Sequence, residues 1–397
     1  MSIRRILISG GGIGGLAAAL GLANNGFDVV VLEQASALGE IGAGIQIGPN
    51  AFHAMDRLGV GQATRSRAVY IDRLVLMDAL SDELVCAIPL DEPFRQRFGN
   101  PYAVIHRADL HGVLVDACRA NQNVALRTSA RVISYQQDGA AVTVSLASGE
   151  TIKGDALIGA DGLRSAIRAQ MLHDGAPVVS GHTTFRSVIP TDQMPEELRW
   201  NAATLWAGPK CHIVHYPLQG WKVFNLVATV HSGATEAVAG EPVATELVRR
   251  SFAHVAERPQ RIIHAAGNWK QWVLCDREPQ ECWTEGRVAL LGDAAHPMLQ
   301  YMAQGACMAL EDAVALAQSL AQYGADIASG LETYRLERLP RTTRLQLSSR
   351  AMGEYVYHPD GPRRLARNAW LRAKGPIDFY NSLEWLYGAG ASAAPRS

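Results

Sequence analysis

Nothing in the 397 residues clusters as a metal or disulfide site requires. The six cysteines, Cys86, Cys118, Cys211, Cys275, Cys282 and Cys307, stand apart with no CxxC pair and no Cys/His ligand spacing. That pattern argues against a zinc site and a disulfide framework, and it fits reduced thiols in a cytosolic enzyme. No charge of one sign dominates: 37 Lys and Arg stand against 38 Asp and Glu, a formal net charge of −1. The electrostatic footprint of a nucleic-acid or anionic-membrane partner is therefore missing. No apolar run is long enough to span a bilayer, and Met1-Ser-Ile-Arg-Arg runs directly into a strand and glycine loop, which is no signal peptide. The expectation is a cytoplasmic protein without a membrane span. No repeat or low-complexity tract appears until Gly388 to Ser397, where Gly, Ala, Ser and Pro predict a frayed tail.

What is present is apolar material, 48% of the chain, enough for two or three domains with buried cores. Ile6 to Ser9 reads as a buried strand, and Ile13 to Asn25 has helical apolar spacing with three successive alanines. Between them stands Gly10-x-Gly12-x-x-Gly15. Gly10 permits the tight turn, Gly12 lets a pyrophosphate approach the backbone, and Gly15 lets helix and strand pack closely, while the helix start offers free N–H groups. A second strand, Asp28 to Leu32, ends at Glu33, 18 positions after Gly15. An acid there accepts ribose hydroxyls in a dinucleotide fold. The motif alone leaves NAD and FAD both open.

Three further stretches bear on that choice. Ile158-Gly159-Ala160-Asp161-Gly162, continuing to Arg168, follows a strand-like Thr151 to Ile158. The apolar Arg287 to Leu291 delivers Gly292-Asp293 to a strand end, where ligands sit in open α/β sheets. His106-Arg107-Ala108-Asp109-Leu110 sets a basic residue at a helix-like start. A surface salt bridge for Arg107 and helix capping for Asp161 or Asp293 are the bland readings.

Together these stretches resemble the single-component FAD-dependent aromatic hydroxylases, and the likeness runs from the N-terminus to about residue 345. The resemblance implies tightly bound FAD, held by Gly10, Gly12, Gly15 and Glu33 on the ADP half. It places Arg107 near the phosphates, Asp293 on the ribityl chain and Asp161, with Gly305, in support. It also implies NADH as a transient electron donor and O2 as co-substrate, consistent with the lack of a second GxGxxG in the chain. The expected fold is α/β (α+β overall): a Rossmann-like FAD domain from 1–70, 102–170 and 280–345, and a mixed or antiparallel sheet domain from 71–101 and 171–279. A C-terminal helical segment and tail, 346–397, reads as core, including Trp370, Trp385 and Tyr387, with a homodimer contact as the alternative.

Such hydroxylases attack an electron-rich ring through a flavin C4a-hydroperoxide. A phenolic substrate therefore needs a base, a dry site and groups that fix the ring. In Cys211 to Pro217, strand alternation puts His212, Val214 and Tyr216 on one face and His215 on the other. His212 has the pKa class suited to a phenolic proton, although a histidine in a strand is more often structural. At Gln300, where relatives in this class often carry proline, a side chain with both donor and acceptor appears. His212, Tyr216 and Gln300 look like the catalytic trio of the 3-hydroxybenzoate 6-hydroxylases, with His212 as base. The likeness implies a small aromatic carboxylic acid substrate and a 2,5-dihydroxybenzoate (gentisate) product. Salicylate 1-hydroxylation and 6-hydroxynicotinate 3-hydroxylation are the rivals within the class, and a non-catalytic flavoprotein the rival outside it. Asp72 and Tyr102 are similar to pocket residues of the same group. Arg186 reads as a member of a buried ion pair, with a substrate carboxylate as the alternative partner, and Met298 and Met302 read as gap fillers.

Overall fold

The computed structural model describes residues 4–39 and 44–388; most of the tail expected to fray lies outside the described residues. Arg5–Ser9 occupies the middle of a six-stranded sheet, parallel to Asp28–Leu32 on one side and Ala156–Gly159 on the other. Val124–Arg127 and Val288–Leu290 extend it in the same direction, and Thr284–Glu285 turns back at the edge. The strands are apolar at successive positions because both faces are covered. Ile6 and Ile8 pack against the helices Ile13–Asn24, Arg107–Ala120 and Gly305–Tyr323. Leu7 points the other way, toward a three-stranded sheet of Val132–Gln137, Val142–Leu146 and Thr151–Gly154.

One expected strand is two. The apolar stretch from Thr151 breaks after Gly154, and Ala156–Gly159 belongs to the large sheet instead. A Cβ at Gly154 would lie 2.7 Å from Leu7, and the Asp155 carboxylate accepts the Arg5 N–H at 2.7 Å, which fixes the corner.

The second large sheet has eight strands: Ala239–Pro242, Lys270–Asp276, Val178–Pro190, Val223–His231, Cys211–Leu218, Ala202–Gly208, Arg73–Asp78 and Leu84–Pro89, in that spatial order. All its neighbours are antiparallel except Ala202–Gly208 beside Arg73–Asp78. One face is sealed by Val248, Phe252, Ile262 and Ile263 from two helices, packed on Phe185, Trp206, Ile213 and Phe224. The opposite face looks toward the glycine loop. Beyond it, the 26-residue helix Ile327–Met352 ends in a π-helical turn, Gly353–Tyr357, and two further helices follow, Gly361–Arg372 and Pro376–Tyr387. The buried Asp78 docks the first of these through Asn368 at 2.6 Å and through Arg364. Tyr387 is core and Trp385 lies under the Arg344 guanidinium, but Trp370 is 61% exposed, contrary to its reading as core.

Candidate active site

Between the two large sheets lies a cleft of about 320 Å³. Its cofactor-side wall is made largely of backbone. Gly10 has φ +106°, and a Cβ there would stand 2.4 Å from the Ala160 carbonyl oxygen, while a Cβ at Gly15 would stand 2.0 Å from that of Gly10. Only glycine permits this crossing of loop, helix and neighbouring strand. The Ile13–Asn24 and Gly305–Tyr323 helices begin without a side-chain cap, and Gly12 and Gly305 both line the cleft. Their first N–H groups are suited to phosphate and other acceptors. Glu33 accepts the Gly11 and Ala35 N–H groups, each at 2.7 Å; each carboxylate oxygen keeps a lone pair for a ribose hydroxyl. Arg107 and Asp293 line the cleft as well, Asp293 on the exposed side of the turn Gly292–Ala294.

Asp161 stands differently. Its carboxylate accepts the N–H of Ala166 at 2.9 Å and of Ile167 at 3.4 Å, at the start of the helix Ala166–Leu172. Burial pushes its carboxyl up, and its neighbours Ala160 and Gly162 line the cleft in its place. The helix-capping reading describes what its side chain does here.

A buried charge network braces this wall from behind. Asp312 accepts from Gly292 N–H at 3.1 Å, His296 Nε2 at 2.6 Å and Arg338 Nε at 2.7 Å. Glu311 accepts from Arg338, Arg341 and Asn50 at 2.6–2.8 Å, and Asn50 donates to Gln304. Burial opposes ionisation of Asp312, but His296 and Arg338 outweigh it and hold the carboxyl at about 2. The network couples the Gly292 turn, the Gly305 helix start and the 327–352 helix. Sequence reading missed it, since only the recurrence of Glu311-Asp312 after Gly292-Asp293 hints at it.

The substrate-side wall is made of side chains. The strand alternation places His212, Val214 and Tyr216 in the cleft, and His215 on the opposite face near Trp200 and Phe224. His212 Nδ1 is 2.7 Å from His358 Nε2, which leaves His212 Nε2 as the nitrogen for the cleft. Burial, followed by the neighbouring His358 and His182, drives the His212 pKa well down, so the resting ring is neutral and keeps an unprotonated nitrogen. Burial raises the Tyr216 phenol despite nearby Arg186; Tyr216 is therefore a donor. Gln300 also lines the cleft. It spends its amide N–H groups on Thr184 Oγ1 and Thr229 Oγ1, at 3.2 and 3.0 Å, and turns Oε1 to Arg186 Nη2 at 3.3 Å.

Arg186 departs from its expected ion pair. Among the described residues no carboxylate pairs with it: Gln300 is its hydrogen-bond acceptor, Trp272 lies 5.4 Å beneath the guanidinium, and its Nε is buried without a partner. Burial, reinforced by Arg107, lowers its pKa against the pull of Tyr216. A half-buried guanidinium on a cleft wall with spare donors suits an anion.

Two other expected substrate contacts lie off the cleft wall. Asp72 has an exposed side chain and uses its backbone to bridge Asn201 and Leu90. Tyr102 is buried and donates to Gln46 Oε1 at 2.7 Å, so it acts through Gln46, which does line the cleft. Met298 lines the cleft, whereas Met302 packs beside it in the core. Tyr357, unnoticed in the sequence, enters the cleft from the C-terminal π-turn and meets the His212 ring edge-on at 4.9 Å.

Glycine crossings, uncapped helix starts, a strand-end acid and a facing polar sheet fit FAD on one wall and a small aromatic ring on the other. Residues 4–348 match the family described as FAD binding domain, and the chain belongs to that family. It is a single-component FAD-dependent aromatic hydroxylase, a flavoprotein monooxygenase. It is 53% identical, over 96% of its length and 97% of the relative's, to 3-hydroxybenzoate 6-hydroxylase 1 of Aquipseudomonas alcaligenes. Two solved structures superpose on nearly the whole chain. One is a salicylate hydroxylase substrate complex with TM-score 0.83 and 28% identity, covering 98% of this chain and 97% of that one. The other is Klebsiella pneumoniae HpxO complexed with FAD and uric acid, with TM-score 0.82 and 27% identity, covering 96% and 95%. Among the described residues no helix is long and apolar enough to cross a membrane, and no cluster of ligands could hold a metal ion.

Proposed function

We propose that the protein hydroxylates 3-hydroxybenzoate para to its hydroxyl group, giving 2,5-dihydroxybenzoate, with NADH as electron donor and O2 as second substrate. The observation that carries this reading is the spacing of unlike groups on one wall: an anion-seeking Arg186, a neutral His212 and a donor Tyr216 around one cleft. Arg186, oriented by Gln300 and Trp272, takes the carboxylate. His212 Nε2 accepts the phenolic proton, which raises electron density on the ring, and Tyr216 donates to the resulting phenolate oxygen and orients it. When bound and reduced, the flavin supplies the activated oxygen that such a ring attacks. Val214, Val227, Met298 and Leu299 line the same cleft and offer apolar surface to the ring. Gly10, Gly12, Gly15 and Glu33 hold the ADP half of FAD, with Arg107 at the phosphates and Asp293 and Gly305 toward the ribityl chain.

The test mixes holoenzyme, NADH and air with 3-hydroxybenzoate, salicylate or 6-hydroxynicotinate, identifies products and compares NADH with O2 consumption. Gentisate formed from 3-hydroxybenzoate in step with NADH is expected. Catechol from salicylate, with only peroxide from 3-hydroxybenzoate, would replace the reading with salicylate 1-hydroxylation.

A further inference from the structure

Four histidines stand in a row from the cleft to the surface. His212 comes from the Cys211–Leu218 strand, His358 follows the π-turn, and His182 and His231 face each other across the paired strands Val178–Pro190 and Val223–His231. His212 Nδ1 and His358 Nε2 are 2.7 Å apart with their rings stacked at 5.0 Å. The His182 ring lies 5.1 Å from that of His358 and 4.8 Å from that of His231. Exposure rises along the row: His212 is 1% exposed, His358 and His182 are half-buried, and His231 is open to solvent. Tyr301 closes one flank, its ring edge-on to His212, His182 and His358 at 5.4–6.1 Å. His182 Nδ1 is buried without a partner, an unmet polar group inside the row.

The geometry points to a proton exit in which His358, His182 and His231 carry the substrate's phenolic proton from His212 to bulk solvent. The inference rests on His212 being the base. The phenol O–H breaks and its proton joins His212 Nε2. The proton on His212 Nδ1 then passes to His358 Nε2, and the opposite nitrogen of His358 releases one toward His182. The step repeats to His231, which gives its proton to water. The first transfer runs along the 2.7 Å hydrogen bond between His212 and His358, and the next two, between rings about 5 Å apart centre to centre, run through one water each. The phenolate keeps the electron pair, one proton reaches solvent, and every imidazole ends neutral. Burial suits the row to conduct rather than store: it lowers His358 to about 3 and His182 to about 4, aided in both by neighbouring histidines. Neither His358 nor His182 traps the proton.

Two variants of the FAD-loaded enzyme test this with NADH, O2 and 3-hydroxybenzoate. His358→Ala interrupts the row inside, and His231→Ala, at an exposed position, interrupts it without risk to the fold. Gentisate formation is expected to fall roughly tenfold or more in His358→Ala, within the range for lost proton transfer, and by less in His231→Ala. KM and FAD content stay near wild type, and added imidazole restores the rate in at least one variant. Wild-type rates in both, or a loss that imidazole restores in neither, overturn the relay in favour of packing. A wild-type enzyme that makes no gentisate at all overturns the substrate reading itself, and the relay with it.

Discussion

The two walls of the cleft are built on opposite plans. The cofactor wall uses backbone: glycines at Gly10 and Gly15 that admit no Cβ, uncapped helix starts at Gly12 and Gly305, and a salt-bridged brace around Asp312. The substrate wall uses side chains on a sheet face, neutral histidines and tyrosines with one guanidinium that has no carboxylate partner among the described residues. Backbone recognition is rigid and indifferent to which ring is oxidised. Side-chain recognition is adjustable by substitution, and a shared cofactor wall can therefore serve relatives with different substrates.

The largest effect that separates the walls is expected at Gly15. A valine Cβ would meet the Gly10 carbonyl oxygen at 2.0 Å, a clash with backbone that no rotamer relieves. Gly15→Val should yield protein without flavin absorbance, and without hydroxylation as a consequence. A variant that keeps one FAD per chain would break the comparison, because the cofactor wall would then tolerate what a side-chain wall tolerates.

The plans also decide what could be read from sequence. The glycine loop, Glu33 and the strand-end Asp293 are legible because each depends on neighbours within a few tens of residues. So is the face of the Cys211–Leu218 strand, since alternation needs no knowledge of the partner. Asp161 and Asp293 look alike in sequence, each an acid after a strand-end glycine, yet they diverge. A helix begins at Ala166, close enough to claim the Asp161 carboxylate, whereas the helix after Asp293 is postponed to Gly305. Tyr357 and His358 were illegible for another reason: they reach His212 only because a 26-residue helix ends in a π-turn. Nothing local in their sequence announces a site. Arg186 was seen but misassigned, since an ion pair is the common fate of a buried arginine and only the fold reveals that among the described residues no carboxylate pairs with it.

A second, smaller effect tests the substrate wall by itself. Arg186→Ala should leave FAD content unchanged and lower kcat/KM for 3-hydroxybenzoate by roughly 10- to 150-fold, the loss of about 1.5–3 kcal/mol for a hydrogen-bonded charge. Most of the change should appear in KM, measured by steady-state oxygen uptake. Arg186→Lys should recover part of it, because a lysine restores charge without the planar fork. Loss of flavin in Arg186→Ala would show that the walls are not independent, and an unchanged KM would assign the carboxylate to another residue.

The smallest effect concerns acid. His215 is fully buried, neither ring nitrogen has a partner, and burial lowers its pKa from 6.5 to about 3. The folded sheet therefore refuses a proton that the unfolded chain accepts below 6.5, and stability contributed above that pH is lost as pH falls toward 3. At pH 5 the loss from His215 alone is about 2 kcal/mol, from roughly 1.4 kcal/mol per unit. His358, lowered to about 3, and His182, lowered to about 4, act in the same direction. The cofactor wall responds in the same direction but at lower pH: with Asp312 held at about 2, its contribution is lost only as pH falls from the ordinary carboxylate range toward that value. Between pH 7 and pH 5, hydrogen exchange should therefore rise first in the strands Cys211–Leu218 and Val223–His231, with Arg5–Ser9 and the Gly305–Tyr323 helix still protected. His215→Phe should narrow the difference, because an apolar ring has no proton to take up. Equal loss of protection in both walls over this interval would mean that the cleft unfolds as one unit, and the contrast between backbone and side-chain walls would then describe recognition alone.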